Sequence, residues 1–268
     1  MSRNTRKPRS AAGETPASSE LTGWLDPAAR MHAALERDEL ELFAQSIAAL
    51  APGERTSMAE VLVRLREEEE KLLPPGDFLP VFEHFGMMPE LDRWVVRHAL
   101  SHLARRSKRK YTCLSVNLSA QTLEDPDFAP FVAAELVRSR VDPNALCFEI
   151  DEVDTLTKTE QAAQFSEAAR RIGCKVLIDG FGLRSVTFQA LVKLKPQFVK
   201  VDGIIVRRIL TNPEALNKLT VIQRFCRING AALIAECVED GQVLARLIEI
   251  GVGMAQGFGI AIPRPIER

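Results

Sequence analysis

Long apolar runs are missing from this sequence, and no stretch approaches the ~18 residues of a membrane-spanning helix. The first residues also lack the apolar segment of a secretion signal, so the expectation is a soluble, cytosolic protein. Cysteine is sparse and badly spaced for disulfides or zinc: five residues, an odd number, with no Cys-x-x-Cys pair. Cys113, Cys147, Cys174 and Cys237 fall in apolar, strand-like stretches and read as reduced packing residues. A charge of one sign is lacking as well. Asp and Glu number 36 against 35 Lys and Arg, which disfavours a DNA or RNA binder that works through bulk positive potential. An anionic ligand must be held by local groups.

What is present is strand, polar strand end and helix, repeated. The 268 residues suit a single β/α barrel, typically about 250 residues long. Residues 1–25 carry Arg3, Arg6, Lys7 and Arg9 among small and polar residues with too little apolar surface to fold. They are expected to be a disordered basic tail, and residues 26–268 the barrel domain.

The stretch Cys174 to Arg184 organises the rest: an apolar run too short for a helix, bounded by glycine, that ends in Asp179. This is the pattern of a buried parallel strand handing a carboxylate to a loop. Ligands and chemistry collect at such strand ends. The unit recurs with Glu60 and Arg64 in Met58–Leu65, Asn117 after Thr112–Val116, and Glu149 after Ala145–Phe148. Lys200 lies inside Gln197–Asp202, Glu236 follows Ala231–Ala235, and a last short segment delivers Gln256. With Leu40–Leu50 this makes about eight strands, the number that closes a (β/α)8 barrel, an open doubly wound sheet being the alternative.

Helices are expected over Pro27–Leu40 and over Pro89–Leu103, the latter with a stripe of Val95, Val96, Ala99, Leu100 and Leu103. Pro74-Pro75-Gly76 breaks the chain. A capping box of Thr157 with Glu160 would start a helix stopped by Gly173. Asn212-Pro213 starts another, with Leu216, Leu219, Ile222 and Cys226 inward, and a last helix turns Val243, Leu244, Leu247 and Ile248 inward. The runs Glu67–Glu70 and Arg105–Lys110 read as solvated. His98 and His102 have a spacing compatible with zinc, but no third ligand stands near them in sequence.

Glu60, Asn117, Glu149 and Asp179 are hard oxygen donors, the set expected of Mg²⁺ or Mn²⁺ rather than zinc. Glu60 and Arg64, four apart, share a strand face. Lys200 inside a strand needs carboxylates beside it, for which Asp179, Asp202 and Glu236 are candidates. Beside a metal and a phosphate such a lysine would hold the attacking water, whereas without a metal it could be a Schiff-base nucleophile.

Seven short motifs, in order from about residue 30 to the C-terminus, resemble the EAL domain of bacterial cyclic-di-GMP phosphodiesterases. They are Glu60-Val61-Leu62 with Arg64, Asn117-Leu118-Ser119, Glu149-Ile150-Asp151-Glu152, Asp179-Gly180-Phe181-Gly182, Lys200-Val201-Asp202, Glu236-Cys237-Val238-Glu239 and Gln256-Gly257-Phe258. The resemblance implies an EAL-type modified TIM barrel with one strand antiparallel to the others, and hydrolysis of cyclic-di-GMP to pGpG with two Mg²⁺ or Mn²⁺ ions. It implies metal ligation by Glu60, Asn117, Glu149 and Asp179, and handling of water by Lys200 and Glu236. Ligand contacts would come from Arg64, Glu60, Gln256, Asp202 and Glu239, and Glu152 would anchor the loop after Asp179. The chain departs from the family at Gly180, where a second aspartate belongs, and in the loop Leu183–Thr187. It also departs at Phe43-Ala44-Gln45-Ser46, which replaces a Tyr-Gln-Pro motif, and at Val61, which replaces alanine and is expected to narrow the pocket floor.

The expectation is a cyclic-di-GMP-binding protein that retains one metal site, loses most of the second, and hydrolyses little or nothing. An active phosphodiesterase and a protein-binding scaffold without nucleotide are the alternatives. A protein partner is expected, with the chain a monomer or weak homodimer.

Overall fold

The computed structural model describes residues 24–51, 58–67, 72–105, 111–183 and 188–266. Within them the strands are β1 (Leu40–Ala49), β2 (Met58–Arg66), β3 (Leu72–Leu73), β4 (Cys113–Leu118) and β5 (Leu146–Asp151). They continue with β6 (Lys175–Phe181), β7 (Phe198–Val201), β8 (Ala232–Ala235), β9 (Met254–Ala255) and β10 (Arg264–Pro265). Parallel pairing runs from β2 through β4, β5, β6, β7 and β8 to β9. The ring is closed by β1, which is antiparallel to both β2 and β9. The fold is therefore the expected eight-stranded barrel with one reversed strand, and the two-residue strands β3 and β10 sit on its rim.

The pleat sorts the side chains. Residues on one face of the strands, Ile47, Met58, Cys113, Cys147, Leu177, Ile234 and Met254, form a separate apolar cluster inside the barrel. Residues of opposite parity, such as Val61, Leu114, Phe148, Ile178, Val199 and Leu233, join the helices in the larger core. Two residues farther along each inward face the interior turns polar, with Gln45, Glu60, Ser115, Glu149, Asp179, Lys200, Glu236 and Gln256. Val61 thus packs outward, on the face opposite Glu60, and does not narrow a pocket floor as expected.

The expected helices form with shifted ends: Pro27–Glu36, Met88–Ala104 and Pro213–Ile228. Asn212 caps the last of these, its side chain accepting from the Glu214 and Ala215 amides. The Thr157/Glu160 capping box does not form. Thr157 instead ends a helix over Glu152–Thr157 that Asp151 caps, and its hydroxyl donates to Val153 O at 2.8 Å. Glu160 pairs with Lys193. Pro75 does more than break the chain, since it opens the helix Pro75–His84 as its first residue. In the helix Gly241–Ile250, Val243 and Leu247 are buried but Ile248 is half exposed. Cys237 lies past β8 and Cys174 just before β6 rather than inside strands; all five cysteines are free, and all but Cys237 are buried.

The proposed tail falls almost wholly outside the described residues, although Trp24 already packs on the core. The runs at 68–71 and 106–110 and the loop at 184–187 also lie outside them. Among the described residues no helix is long and apolar enough to cross a membrane.

Gly257 ties β9 to the loop after β8: a β-carbon there would lie 2.2 Å from Val238 N and 2.3 Å from Val238 O, at a φ of +154°. Gly257→Ala is expected to cost about 1–3 kcal/mol. A thermal melt should show Tm lowered by roughly 2–12 °C.

Candidate functional site

Lys200 lies mid-strand on β7 with its side chain inside the barrel, 1% exposed. Its Nζ donates to Glu149 Oε2 at 2.5 Å and Glu60 Oε2 at 3.0 Å, and Asp179 Oδ1 stands 3.3 Å away. Register between neighbouring strands sets the level of these side chains: Glu60 pairs with Gln45 and Ser115, Asn117 with Glu149, and Lys200 with Ile234. A second layer of bonds fixes Glu60. Asn117 Nδ2 donates to its Oε1 at 3.1 Å, and Gln256 Nε2 donates to its Oε2 at 2.7 Å. Gln256 Nε2 also donates to Gln45 Oε1 at 3.1 Å, and Gln45 Nε2 to Ala261 O at 3.0 Å.

Of the carboxylates expected beside Lys200, only Asp179 is there; Glu60 and Glu149 take the other places. Asp202 lies just past β7 and caps the short helix that follows, accepting from Ile204 N at 2.7 Å. Glu236 accepts from Gly203 N at 2.7 Å. Both find backbone donors at a helix start, where unpaired N–H groups are available to a carboxylate. Arg64 shares a strand face with Glu60 but makes no ion pair with it. Its guanidinium donates to Val63 O at 2.8 Å and sits 5.7 Å from the Phe43 ring centre. Glu152 is buried and accepts from Gly182 N at 2.9 Å, so it holds the start of the loop after β6. Glu239 is exposed on the rim and, with Glu60, Glu236, Gln256 and Phe258, lines a cavity of about 310 Å³.

His98 does not join this site. On the outer side of the barrel its Nδ1 is 2.8 Å from Trp94 O, its ring stacks on Trp94, and its Nε2 is 3.1 Å from Asp38 Oδ1. Two contributors were not anticipated. Gln45 joins β1 to Glu60 through Gln256, a link invisible before β1 closes the ring. Asp92 is buried and accepts from Ser119 N at 3.0 Å and Thr122 Oγ1 at 2.6 Å, which fixes the turn directly after Asn117. A carboxylate set within the apolar stripe of Leu91, Val95 and Val96 was its available signal.

Burial pushes Glu149 up to about 8, the nearby Glu60 charge adding to the rise. Burial likewise raises Glu236 to about 7 and raises Asp179. For Glu60 burial also acts upward, but the Lys200 charge and the bonds from Gln256 and Asn117 outweigh it, and its pKa falls. Lys200 is held well above the usual lysine value: burial opposes its charge, and the charges of Glu149, Glu60 and Asp179 prevail.

Three carboxylates thus face one ammonium. Among the described residues no three acidic, histidine or cysteine groups are already spaced around an ion; the cation they enclose is Lys200. Three buried oxygens at the mouth nevertheless lack hydrogen-bond partners among the described residues, Glu149 Oε1, Gln256 Oε1 and Asp179 Oδ1, the last standing 3.3 Å from Lys200 Nζ. Surplus negative charge and unused hard oxygens fit a divalent, oxygen-seeking cation.

A parallel barrel with one reversed strand, and a carboxylate-rich mouth around a buried lysine at its C-terminal strand ends, defines a β/α-barrel protein with a site for polar chemistry. The EAL domain model matches residues 28–263, and the chain belongs to the EAL domain family. The cyclic di-GMP phosphodiesterase PdeB of Shewanella oneidensis is 30% identical over 240 residues, which is 89% of this chain and 28% of that protein. The cyclic di-GMP phosphodiesterase PdeF of Escherichia coli is 29% identical over 239 residues, 88% of this chain and 32% of that protein. The chain thus spans about a third of these relatives' length. Among solved structures, the FimX EAL domain of Pseudomonas aeruginosa bound to c-di-GMP superimposes with a TM-score of 0.83 at 30% identity, covering 89% of this chain and 96% of that one. The FimX EAL domain of Xanthomonas citri in complex with c-di-GMP gives 0.82 at 28%, covering 89% and 93%.

Removing the ammonium leaves the carboxylates uncompensated, so Lys200→Met should cost about 3–5 kcal/mol in urea unfolding. The pH dependence has a definite sign. Glu149 and Glu236 titrate near 8 and 7 when folded, against 4.5 ordinarily. The folded state therefore binds more protons between those values, and stability falls as pH rises from about 4.5 to 8. Urea unfolding in EDTA should show this fall, and Glu149→Gln should flatten it.

Proposed function

We propose that this chain is a cyclic-di-GMP-binding EAL domain of bacterial second-messenger signalling, cytoplasmic, in which hydrolysis to pGpG is weak or absent. The observation that carries the reading is the mouth itself: Glu60, Glu149 and Asp179 remain gathered on Lys200, while Gly180 offers no carboxylate beside Asp179. Relatives named as cyclic di-GMP phosphodiesterases and a c-di-GMP-bound EAL domain at 30% identity support the ligand class.

Glu60, Asn117, Glu149 and Asp179 would hold a Mg²⁺ or Mn²⁺ ion, which when bound polarises a phosphodiester and supplies hydroxide near neutrality. Lys200 donates to any oxygen that displaces Glu60 or Glu149 from it, and so orients water or phosphate above the apolar interior. Glu236, titrating near 7, can take a proton from that water at neutral pH. Arg64, on its Phe43 platform, places a cation on the rim for a phosphate. Binding draws on these groups together, whereas turnover also needs the second ion that a carboxylate at position 180 would hold. Loss of a supporting group alone costs about 10–100-fold in metal affinity or activity, and loss of a direct ligand costs at least that. Occupancy would then pass to a protein partner, with the chain a monomer or weak homodimer.

The test is calorimetric titration with cyclic-di-GMP, with product analysis in Mg²⁺ and then Mn²⁺, on the natural chain and Gly180→Asp. Aspartate tolerates the left-handed φ of +65° better than most residues, and its β-carbon would meet nothing nearer than Asp151 Oδ2 at 3.7 Å. Binding without pGpG, and hydrolysis raised at least ~10-fold in the variant, is expected. Turnover in the natural chain that disappears in Glu60→Ala would make it an active phosphodiesterase. Absence of binding would leave a protein-interaction scaffold.

A further inference from the structure

Asn117 is the penultimate residue of β4, exposed at the barrel end, with its Nδ2 donating to Glu60 Oε1 at 3.1 Å. Its Oδ1 is the atom it can offer a cation, so the way this strand end is held sets where that oxygen stands. Two residues on, the chain turns. Ser119 caps the one-turn helix Ala120–Leu123, its Oγ accepting from Thr122 N at 3.2 Å.

The turn is held from outside the barrel by the helix Met88–Ala104. Asp92 Oδ2 accepts from Ser119 N at 3.0 Å and from Thr122 Oγ1 at 2.6 Å, and Ser119 Oγ donates in turn to Thr122 Oγ1 at 2.9 Å. Asp92 and Thr122 are 6% and 1% exposed, so this network is closed to water. Among the described residues Asp92 makes no ion pair. Arg93, the next residue, turns its guanidinium to Asp125 Oδ2 at 2.6 Å, and the groups facing Asp92 from the turn are the neutral Ser119 and Thr122.

A buried carboxylate with no cation beside it is costly where packing alone would accept an apolar residue. Burial pushes Asp92 up to about 6, opposed by the bonds from Thr122 and Ser119 and least by the Arg93 charge, so it is ionised above neutrality. What the charge supplies is grip: hydrogen bonds to an ionised acceptor are about twice as strong as neutral ones.

We propose that Asp92 is a positioning residue for the mouth: by holding Ser119 N and Thr122 Oγ1 it fixes the end of β4, and so keeps the Asn117 side chain beside Glu60, where the two bind a divalent cation. The proposal rests on the reading that Glu60, Asn117, Glu149 and Asp179 take a Mg²⁺ or Mn²⁺ ion. Asp92 itself stays outside the barrel and acts through Asn117.

The test is Mn²⁺ affinity by electron paramagnetic resonance on the full chain, above neutrality, for the natural chain, Asp92→Asn, Asn117→Ala and the double variant. Asp92→Asn keeps the volume and an oxygen acceptor while removing the charge, and should weaken Mn²⁺ at least ~10-fold. On the Asn117→Ala background the same change should have little further effect, because residues acting through one another are not additive. Thr122→Val removes one donor and leaves the carboxylate; it should weaken Mn²⁺ less, in the same direction, and serves if Asp92→Asn fails to fold. With no ion added, the side-chain amide resonance of Asn117 should move in Asp92→Asn, while that of Asn229, bonded to Phe225 O, should not. Unchanged affinity, or an equal loss on both backgrounds, would overturn the proposal and leave the cation site standing. No Mn²⁺ binding by the natural chain would overturn the reading of the site, and an unmoved Asn117 resonance would then overturn the positioning as well.

Discussion

The buried ammonium of Lys200 is the constraint on which the barrel interior depends. Below it the barrel is filled by Ile47, Met58, Cys147, Leu177 and Ile234, a layer that excludes water and would make an unpaired charge prohibitive. Glu149 and Glu60 are drawn to it from two strands, and Asp179 from a third. The strands must be in register for these side chains to meet, so the ion cluster and the closure of the barrel require each other. Such clusters contribute little net stability, because desolvation consumes much of the Coulombic gain.

The same electrostatics give the mouth its chemical character. Three carboxylates face one ammonium, and burial above all, with the charge of Glu60 added to it, raises the pKa values of Glu149 and Asp179. Groups held in this state respond strongly to an added cation, since it relieves repulsion that the protein alone does not neutralise. Glu236 is set apart by its bond from Gly203 N and remains near neutrality. One end of the barrel thus combines buried carboxylates, an ammonium and, in Glu236, a carboxyl group with a pKa of about 7.

At position 180 a backbone requirement meets the absence of a side chain. Glycine there takes a φ of +65° beside a register shift between β6 and β7, a backbone conformation it adopts without strain. The same residue offers no carboxylate beside Asp179. Glu152 still holds Gly182 N at the start of the following loop, so the support survives where the carboxylate does not.

Much of this was legible in the sequence, because two-residue and 3.6-residue periods are local properties. Short apolar runs ending in Glu60, Asn117, Glu149, Asp179 and Glu236 marked the strands and the face on which a site would lie, and the order of motifs marked the family. Which groups would touch was not local. Asp202 and Glu236 were candidates to pair with Lys200 and Glu60 was not, yet helix starts claimed the first two, and ring closure through β1 delivered Glu60 from 140 residues away. Gln45, Asp92 and the nearness of Asp151 to Gly180 likewise depend on register and on packing between elements. The sequence by itself determined the alternation, the polar strand ends and the absence of a carboxylate at 180. Only the tertiary structure decided which charges neutralise one another, since that is set by distances across the barrel.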